Sequence, residues 1–317
     1  MSRGPSFVVS TLASCRVVFG QPSTKVVTNN GVGGALQVTL PVLAGAADEL
    51  LLASADSVRA SGGFHLYQGR NQLAGIAVAP PELPLEAAAS KLYEGLFAAT
   101  QGLHLYRIWN YVPRINAVDQ GLENYRLFCR GRSLAFERHF GANFRKLLPA
   151  ASAVGAVTGP LALGFLAGKS IPRHFENPRQ VPAFEYPPQY GPRPPSFARA
   201  TAVTTESGRQ VIISGTAAIT GHATIAGGDL DRQLVCTLEN LALIAATAGA
   251  GDAFGRSDAW ARQFKVYVRH AGDFPRINAF LDAHLLQTGD TAQFLQADLC
   301  RSELLVEIEA ILTAADA

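Results

Sequence analysis

The chain repeats itself, and that constrains its fold more than any other feature. Pro113-Arg-Ile-Asn-Ala117 recurs unchanged as Pro275-Arg-Ile-Asn-Ala279. Upstream, Ala98-Ala-Thr-Gln-Gly102 matches Ala245-Ala-Thr-Ala-Gly249, and Gly75-Ile-Ala77 matches Gly221-His-Ala223. The offsets are 162, 147 and 146, so the copies hold register until an insertion of about 15 residues after Gly249. One five-residue identity is compatible with chance; three matches in one order are not.

Each copy has the same coarse pattern. A β-rich pair opens it, Phe64–Tyr67 with Gln72–Ala77 and then Val211–Ser214 with Ala217–Ala223. Apolar residues at helical spacing follow: Leu85, Leu92, Leu96 and Phe97 in the first copy, Leu234, Leu238 and Leu241 in the second. A strand comes next, Leu105–Tyr111 and Phe264–Arg269, and a second helix is expected to begin near each Pro-Arg-Ile-Asn-Ala segment. Two strands close the unit, Ala150–Val157 with Leu161–Ala167 and Ala297–Arg301 with Leu304–Ile308. This alternation predicts an α/β chain built as two α+β sandwiches, each with helices against one face of a sheet. The units are expected at residues 1–169 and 198–317. Between them residues 170–197 hold eight of the 18 prolines. A stiff linker is the plain reading of such a stretch, but Phe184, Tyr186, Tyr190 and Phe197 make it aromatic enough for a strap across a cleft.

Several classes are excluded by composition. Apolar residues make up 48% and charged residues 16%, which provides a core and argues against disorder. A net charge of +2 gives no reason to expect nucleic acid as a partner. The cysteines Cys15, Cys129, Cys236 and Cys300 lack metal-ligand spacing, so neither a zinc site nor a disulfide framework is expected. Leu147 to Gly168 is uncharged and long enough to span a bilayer, but Gly159-Pro160 and four further breakers divide it into two buried strands. With no apolar leader after Met1, a cytoplasmic protein without membrane contact is expected.

The repeat unit resembles the YjgF/RidA-like fold in Val266-Tyr-Val-Arg269, Asp273-Phe-Pro-Arg-Ile-Asn278 and Val306-Glu-Ile-Glu-Ala310. The whole chain is similar to the chorismatases, in which two such units and a proline-rich connection form one enzyme. That resemblance rests on Tyr106-Arg-Ile-Trp-Asn-Tyr-Val-Pro-Arg-Ile-Asn116, Gly121-Leu-Glu-Asn-Tyr-Arg126, Tyr186-Pro-Pro-Gln-Tyr-Gly-Pro-Arg193 and Cys300-Arg-Ser-Glu-Leu-Leu-Val-Glu-Ile-Glu309. It implies removal of the enolpyruvyl group of chorismate as pyruvate, without metal or organic cofactor. The products in the family are a dihydroxycyclohexadiene carboxylate, 3-hydroxybenzoate, or 3- with 4-hydroxybenzoate. An imine or enamine deaminase and a non-catalytic ligand-binding protein are the alternatives from other classes. The resemblance leaves a monomer or a small homo-oligomer open.

Chorismate carries two carboxylates, and its enol-ether carbon must be protonated. A buried carboxylic acid with a raised pKa suits that step. Strand alternation places Glu307 and Glu309 on one face, and the pattern alone reads as a solvent-exposed face. The family motif singles out Glu307 as the acid and leaves Glu309 on that exposed face. The first copy has Gly164 at the equivalent position, so one active site per chain is expected. Cys300, on the adjoining strand, and Gly215 resemble the marker of the 3-hydroxybenzoate branch. Arg132 and Arg269 are the expected carboxylate anchors, with Tyr125 and Tyr186 as hydroxyl donors.

Overall fold

The two copies fold to one topology. The computed structural model describes residues 13–29, 33–119, 121–251, 254 and 259–314. Five strands come first: β1 (Ala13–Val18), β2 (Lys25–Asn29), β3 (Gly33–Gln37), β4 (Val42–Ala44) and β5 (Asp48–Ala55). The first copy is β6 (Ser57–Ser61), β7 (Phe64–Gln68), β8 (Gln72–Val78), α1 (Leu85–Ala99), β9 (His104–Pro113), the short β10 (Val118–Asp119) and β11 (Leu122–Glu123), α2 (Asn124–Phe140), β12 (Ala150–Ala156) and β13 (Ala162–Gly168). The connector adds β14 (Arg173–Phe175). The second copy is β15 (Ala200–Thr205), β16 (Gly208–Thr216), the short β17 (Ile219–Thr220) and β18 (Ala223–Thr224), α3 (Leu230–Thr247), β19 (Trp260–Val268), α4 (Phe274–His284), β20 (Thr291–Gln296) and β21 (Val306–Ala314).

The sheets run β12-β9-β13-β8-β7-β6 and β14-β15-β16-β21-β19-β20-β4. In each, the strand before the second helix pairs parallel with the strand after it and antiparallel with the last strand of the unit. Parallel neighbours need a crossover, which α2 and α4 supply. The helices cover one face of each sheet. Leu92, Leu96, Phe97, Phe128 and Phe136 pack on Phe64, Ile108 and Phe165. Leu234, Leu241, Ile277 and Leu281 do the same on Ile213, Val266 and Ile308. Each such side chain contributes about 1.5–3 kcal/mol on burial.

The opposite faces of the two sheets turn toward each other. A third wall comes from the four-stranded sheet β2-β3-β1-β5, whose Cys15, Val17, Phe19 and Leu36 pack with Tyr67, Trp109, Tyr111 and Tyr267. Residues outside the repeat therefore close the space between the copies. Leu147–Gly168 forms β12 and β13 with a turn at Gly159-Pro160, and no helix among the described residues is long and apolar enough to cross a membrane.

Four local expectations are corrected. The opening pair of the second copy is β15 and β16, one strand earlier than the pattern indicated; β16 runs through Ser214-Gly215 with a register shift between Ile213 and Thr216. Its penultimate strand is β20, whose Thr291, Gln293 and Gln296 lack the apolar signature of a strand. Cys300 lies in the loop between β20 and β21, not on a strand. In the first copy the Pro-Arg-Ile-Asn-Ala segment starts no helix: Arg114 has φ of 43°, a left-handed conformation that breaks the path, and α2 begins at Asn124.

Candidate active site

On β21 the inward positions are Glu307 and Glu309, each 4% exposed. The solvent-exposed face expected for Glu309 is thus corrected: one side of β21 lies under helices and the other faces the first sheet, so neither reaches solvent. The corresponding face of β13 carries Ala162, Gly164 and Leu166, and only the second copy presents acids there.

The bulge in β16 opens a cavity beside Glu307. Gly215 sits on it, and a Cβ at that position would overlap Glu307 Oε1. Glu307, Cys300, Arg132, Tyr125, Tyr186 and Gly215 all line this one cavity, which brings together six of the seven residues singled out from sequence. The connector crosses it: Tyr186, Tyr190, Pro195 and Phe197 form one side. Tyr186 and Tyr190 lie with ring centroids 5.4 Å apart, and Arg301 places its guanidinium carbon 4.1 Å from the Tyr190 ring. The aromatic content of the proline-rich stretch marks a strap, not a spacer.

Arg269 is the residue the structure keeps apart. It lines no part of the cavity and donates to the carbonyls of Leu304 (2.6 Å) and Arg301 (2.7 Å) and to Asp298 Oδ1 (2.7 Å). It staples the loop that carries Cys300. Its place as a second cation is taken by Arg199, immediately before β15, which lines the cavity and was not identified from sequence. One arginine in Phe197-Ala-Arg-Ala200, among 22, carries no motif; its position at the end of the connector was the available signal.

Arg126, Arg132, Arg199 and Arg301 line the cavity, and two of them, Arg132 and Arg199, are buried and incompletely partnered. Arg132 is 1% exposed, rests 4.7 Å over the Phe128 ring, and has no hydrogen-bond partner for Nε. Among the described residues it makes no ion pair. Arg199 is 5% exposed; it donates to the Tyr186 hydroxyl (2.7 Å), its Nε is also without a hydrogen bond, and Glu176 stands 3.9 Å away. A buried cation is costly unless an anion completes it. Two such cations frame a site for a small dianion.

The acid that shares their cavity is held neutral. Burial, and then the charge of Glu309, push the Glu307 carboxyl up to about 8 against the opposing fields of Arg107, Arg199 and Arg269. It is therefore protonated near neutral pH. Burial and the Glu307 charge push the Cys300 thiol up to about 12, so this cysteine is a neutral thiol and not a thiolate nucleophile. Burial raises Tyr125 well above its ordinary value, which keeps its hydroxyl a donor. Among the described residues no three His, Cys, Asp or Glu side chains cluster as metal ligands. The arrangement can bind two carboxylates and deliver a proton in the same cavity.

The chain is similar to known proteins over most of its length. Residues 52–167 match the family described as chorismatase FkbO/Hyg5-like, N-terminal. A 3-hydroxybenzoate synthase of Streptomyces hygroscopicus is 41% identical over 217 residues, spanning 66% of this chain and 63% of that protein, just under two thirds of its length. A chorismatase of Streptomyces rapamycinicus is 37% identical over 251 residues, 76% of this chain and 74% of the relative. The crystal structure of a chorismatase at 1.08 Å resolution superposes with a TM-score of 0.85 at 29% identity, covering 98% of this chain and 96% of the other. By sequence over three quarters of its length and by fold over nearly all of it, this chain belongs to the chorismatase family.

Proposed function

We propose that this protein releases pyruvate from chorismate and leaves 3-hydroxybenzoate, with Glu307 as the acid. The observation that carries the reading is a protonated carboxyl in a cavity framed by two incompletely partnered guanidiniums, Arg132 and Arg199. Each guanidinium matches one substrate carboxylate, and Tyr125 and Tyr186 add hydroxyl donors. Glu307 gives its proton to the enolpyruvyl methylene carbon. A carbon–hydrogen bond forms, and an oxocarbenium ion is left beside the new Glu307 carboxylate, whose charge stabilises it. The hydroxyl oxygen on the adjacent ring carbon then bonds to the carbon that bears the side chain as the old C–O bond there breaks; its proton returns to the Glu307 carboxylate, and pyruvate leaves with the electron pair of the broken bond. The resulting epoxide opens at the carbon that first carried the hydroxyl, and loss of the ring proton from the other carbon, matched by protonation of the oxygen, gives 3-hydroxybenzoate. Chorismate equals 3-hydroxybenzoate plus pyruvate atom for atom, so this branch consumes no net water, oxidant or reductant. The diol branch adds one water.

The 3-hydroxybenzoate branch is supported by the name of the Streptomyces hygroscopicus relative and by the position of Cys300 and Gly215, both at the cavity next to Glu307. Arg269 gives a deaminase reading little support, because its donors are taken up by the loop it holds. In this reading residues 1–169 and 198–317 are two units joined by the strap 170–197. The protein acts in the cytoplasm on a free small molecule, apart from membrane and nucleic acid, as a monomer or small homo-oligomer. The test is incubation with chorismate, with no metal or cofactor added, followed by chromatography and an enzymatic pyruvate assay. Pyruvate with 3-hydroxybenzoate is expected. Pyruvate with a non-aromatic diol would overturn the branch, and untouched chorismate the whole reading.

A further inference from the structure

Two carboxyls stand two residues apart on the same face of β21 and are treated in opposite ways. Among the described residues Glu307 receives no hydrogen bond. Glu309 receives five: Arg107 and Ser152 on Oε2, and Trp109 Nε1 (3.2 Å), the Tyr267 hydroxyl (3.2 Å) and Lys265 Nζ (2.7 Å) on Oε1. Arg107, Trp109 and Ser152 come from the first sheet, Tyr267 and Lys265 from the second. Lys265 continues to Glu49 on β5, so all three walls meet at this cluster. Replacing a buried ion pair with apolar groups is often neutral or stabilising, so joining the sheets does not by itself call for a charged cluster here. Its place does: Ser152 donates to Glu309 and also lines the active-site cavity.

We infer that Glu309 is a positioning residue for the acid, clamped as a fixed anion by donors from both sheets and acting through space to keep the proton on Glu307 until substrate arrives. Alternate strand residues lie about 7 Å apart, close enough for a buried charge to act strongly. The other charged or titratable groups near Glu307 are Arg107 from β9, Arg199 before β15, Arg269 after β19 and Cys300 from the loop before β21, with Arg132 and Tyr125 from α2, Tyr186 from the connector and Arg301 lining the same cavity. Arg107, Arg199 and Arg269 favour the ionised form, and burial with Glu309 outweighs them. Glu309 in turn is faced by Arg107, Lys265, Tyr267, Tyr111 and Glu49. Burial alone would raise it, but Arg107 and Lys265 prevail and hold it below the usual carboxylate range. Once Glu307 has given up its proton, the same fixed anion favours a cation in the cavity.

The inference rests on the proposed acid role of Glu307, and its test needs no turnover. Glutamate labelled with carbon-13 at the side-chain carboxyl is followed by NMR against pH, with Glu307 assigned by Glu307→Gln and Glu309 by Glu309→Asp. In the wild-type protein Glu309 should stay ionised from pH 5 to pH 9 while Glu307 titrates near 8. A Glu307 midpoint in the ordinary carboxylate range, or a Glu309 that titrates within this window, overturns the inference without any variant having to fold. In Glu309→Gln the Glu307 midpoint should fall by about one to two pH units, and the alkaline limb of kcat should move with it while KM changes less than about twofold. Glu309→Asp, which keeps the charge, should restore the wild-type limb. A folded Glu309→Gln protein with an unmoved midpoint gives Glu309 a structural role only. Chorismate left intact by the wild-type protein would instead reject the proposed reaction, independently of the titration.

Discussion

Position 215 is a glycine because of its neighbour, not its backbone: a Cβ there would strike the Glu307 carboxyl, and no left-handed φ demands the residue. Gly215→Ala should therefore push the acid aside, lowering kcat about a hundredfold with the melting temperature nearly unchanged. Glu307→Gln should cost about 10²- to 10⁴-fold in kcat, and rates at the wild-type level would remove it as the acid. Arg132→Ala and Arg199→Ala should each raise KM about 10- to 100-fold, the range expected for a lost hydrogen bond to a charged group. Steady-state kinetics with chorismate separates these outcomes. That Glu307, Cys300 and Gly215 share one cavity was legible in the sequence, Glu307 and Cys300 because they sit in one extended motif and Gly215 through the family resemblance. Arg199 was not, because a buried cation in a loop has no periodicity to reveal it, and Glu309 was misread because alternation reports two faces without saying what covers each.

The elements that carry the cavity are a strap, a bulged strand and a stapled loop, and none of them is a regular repeat feature. The duplication predicted the strand and helix order of both sheets, and apolar periodicity located the first helix of each copy; the second helix fell at the repeated Pro-Arg-Ile-Asn-Ala segment only in the second copy. It failed at β16 and β20. A bulge through Ser214-Gly215 looks like a turn in sequence, and the polar residues of β20 look like a loop. The stapled loop yields its own prediction. Arg269→Met removes donors to Leu304, Arg301 and Asp298, so the segment bearing Cys300 loosens while the carboxylate anchors stay in place. Lower kcat and an altered product ratio by chromatography should follow, with KM nearly unchanged. A rise in KM like that of Arg132→Ala would make Arg269 a direct anchor instead.

Across the whole molecule, the three walls bury two acids with opposite preferences, and this ties stability to pH from both sides. Glu309 is held below its unfolded value, so its contribution is present above that value and is lost as pH falls through the folded one. Glu307 is raised from 4.5 to about 8, so the folded state keeps a proton that the unfolded chain releases. Its contribution is intact below 4.5 and is lost as pH rises from there to about 8. At about 1.4 kcal/mol for each pH unit between the two states, the loss amounts to a few kcal/mol. The same ionisation removes the acid form, so activity should decline over the alkaline part of that window. Glu307→Gln cannot ionise, so its melting temperature should exceed that of the wild-type protein at pH 8 and match it at pH 4.5. Melting curves of both proteins across this range test the point: parallel curves would mean that Glu307 is not held protonated by the fold, whereas curves that diverge as pH rises would measure the stability cost of keeping an acid protonated between two sheets.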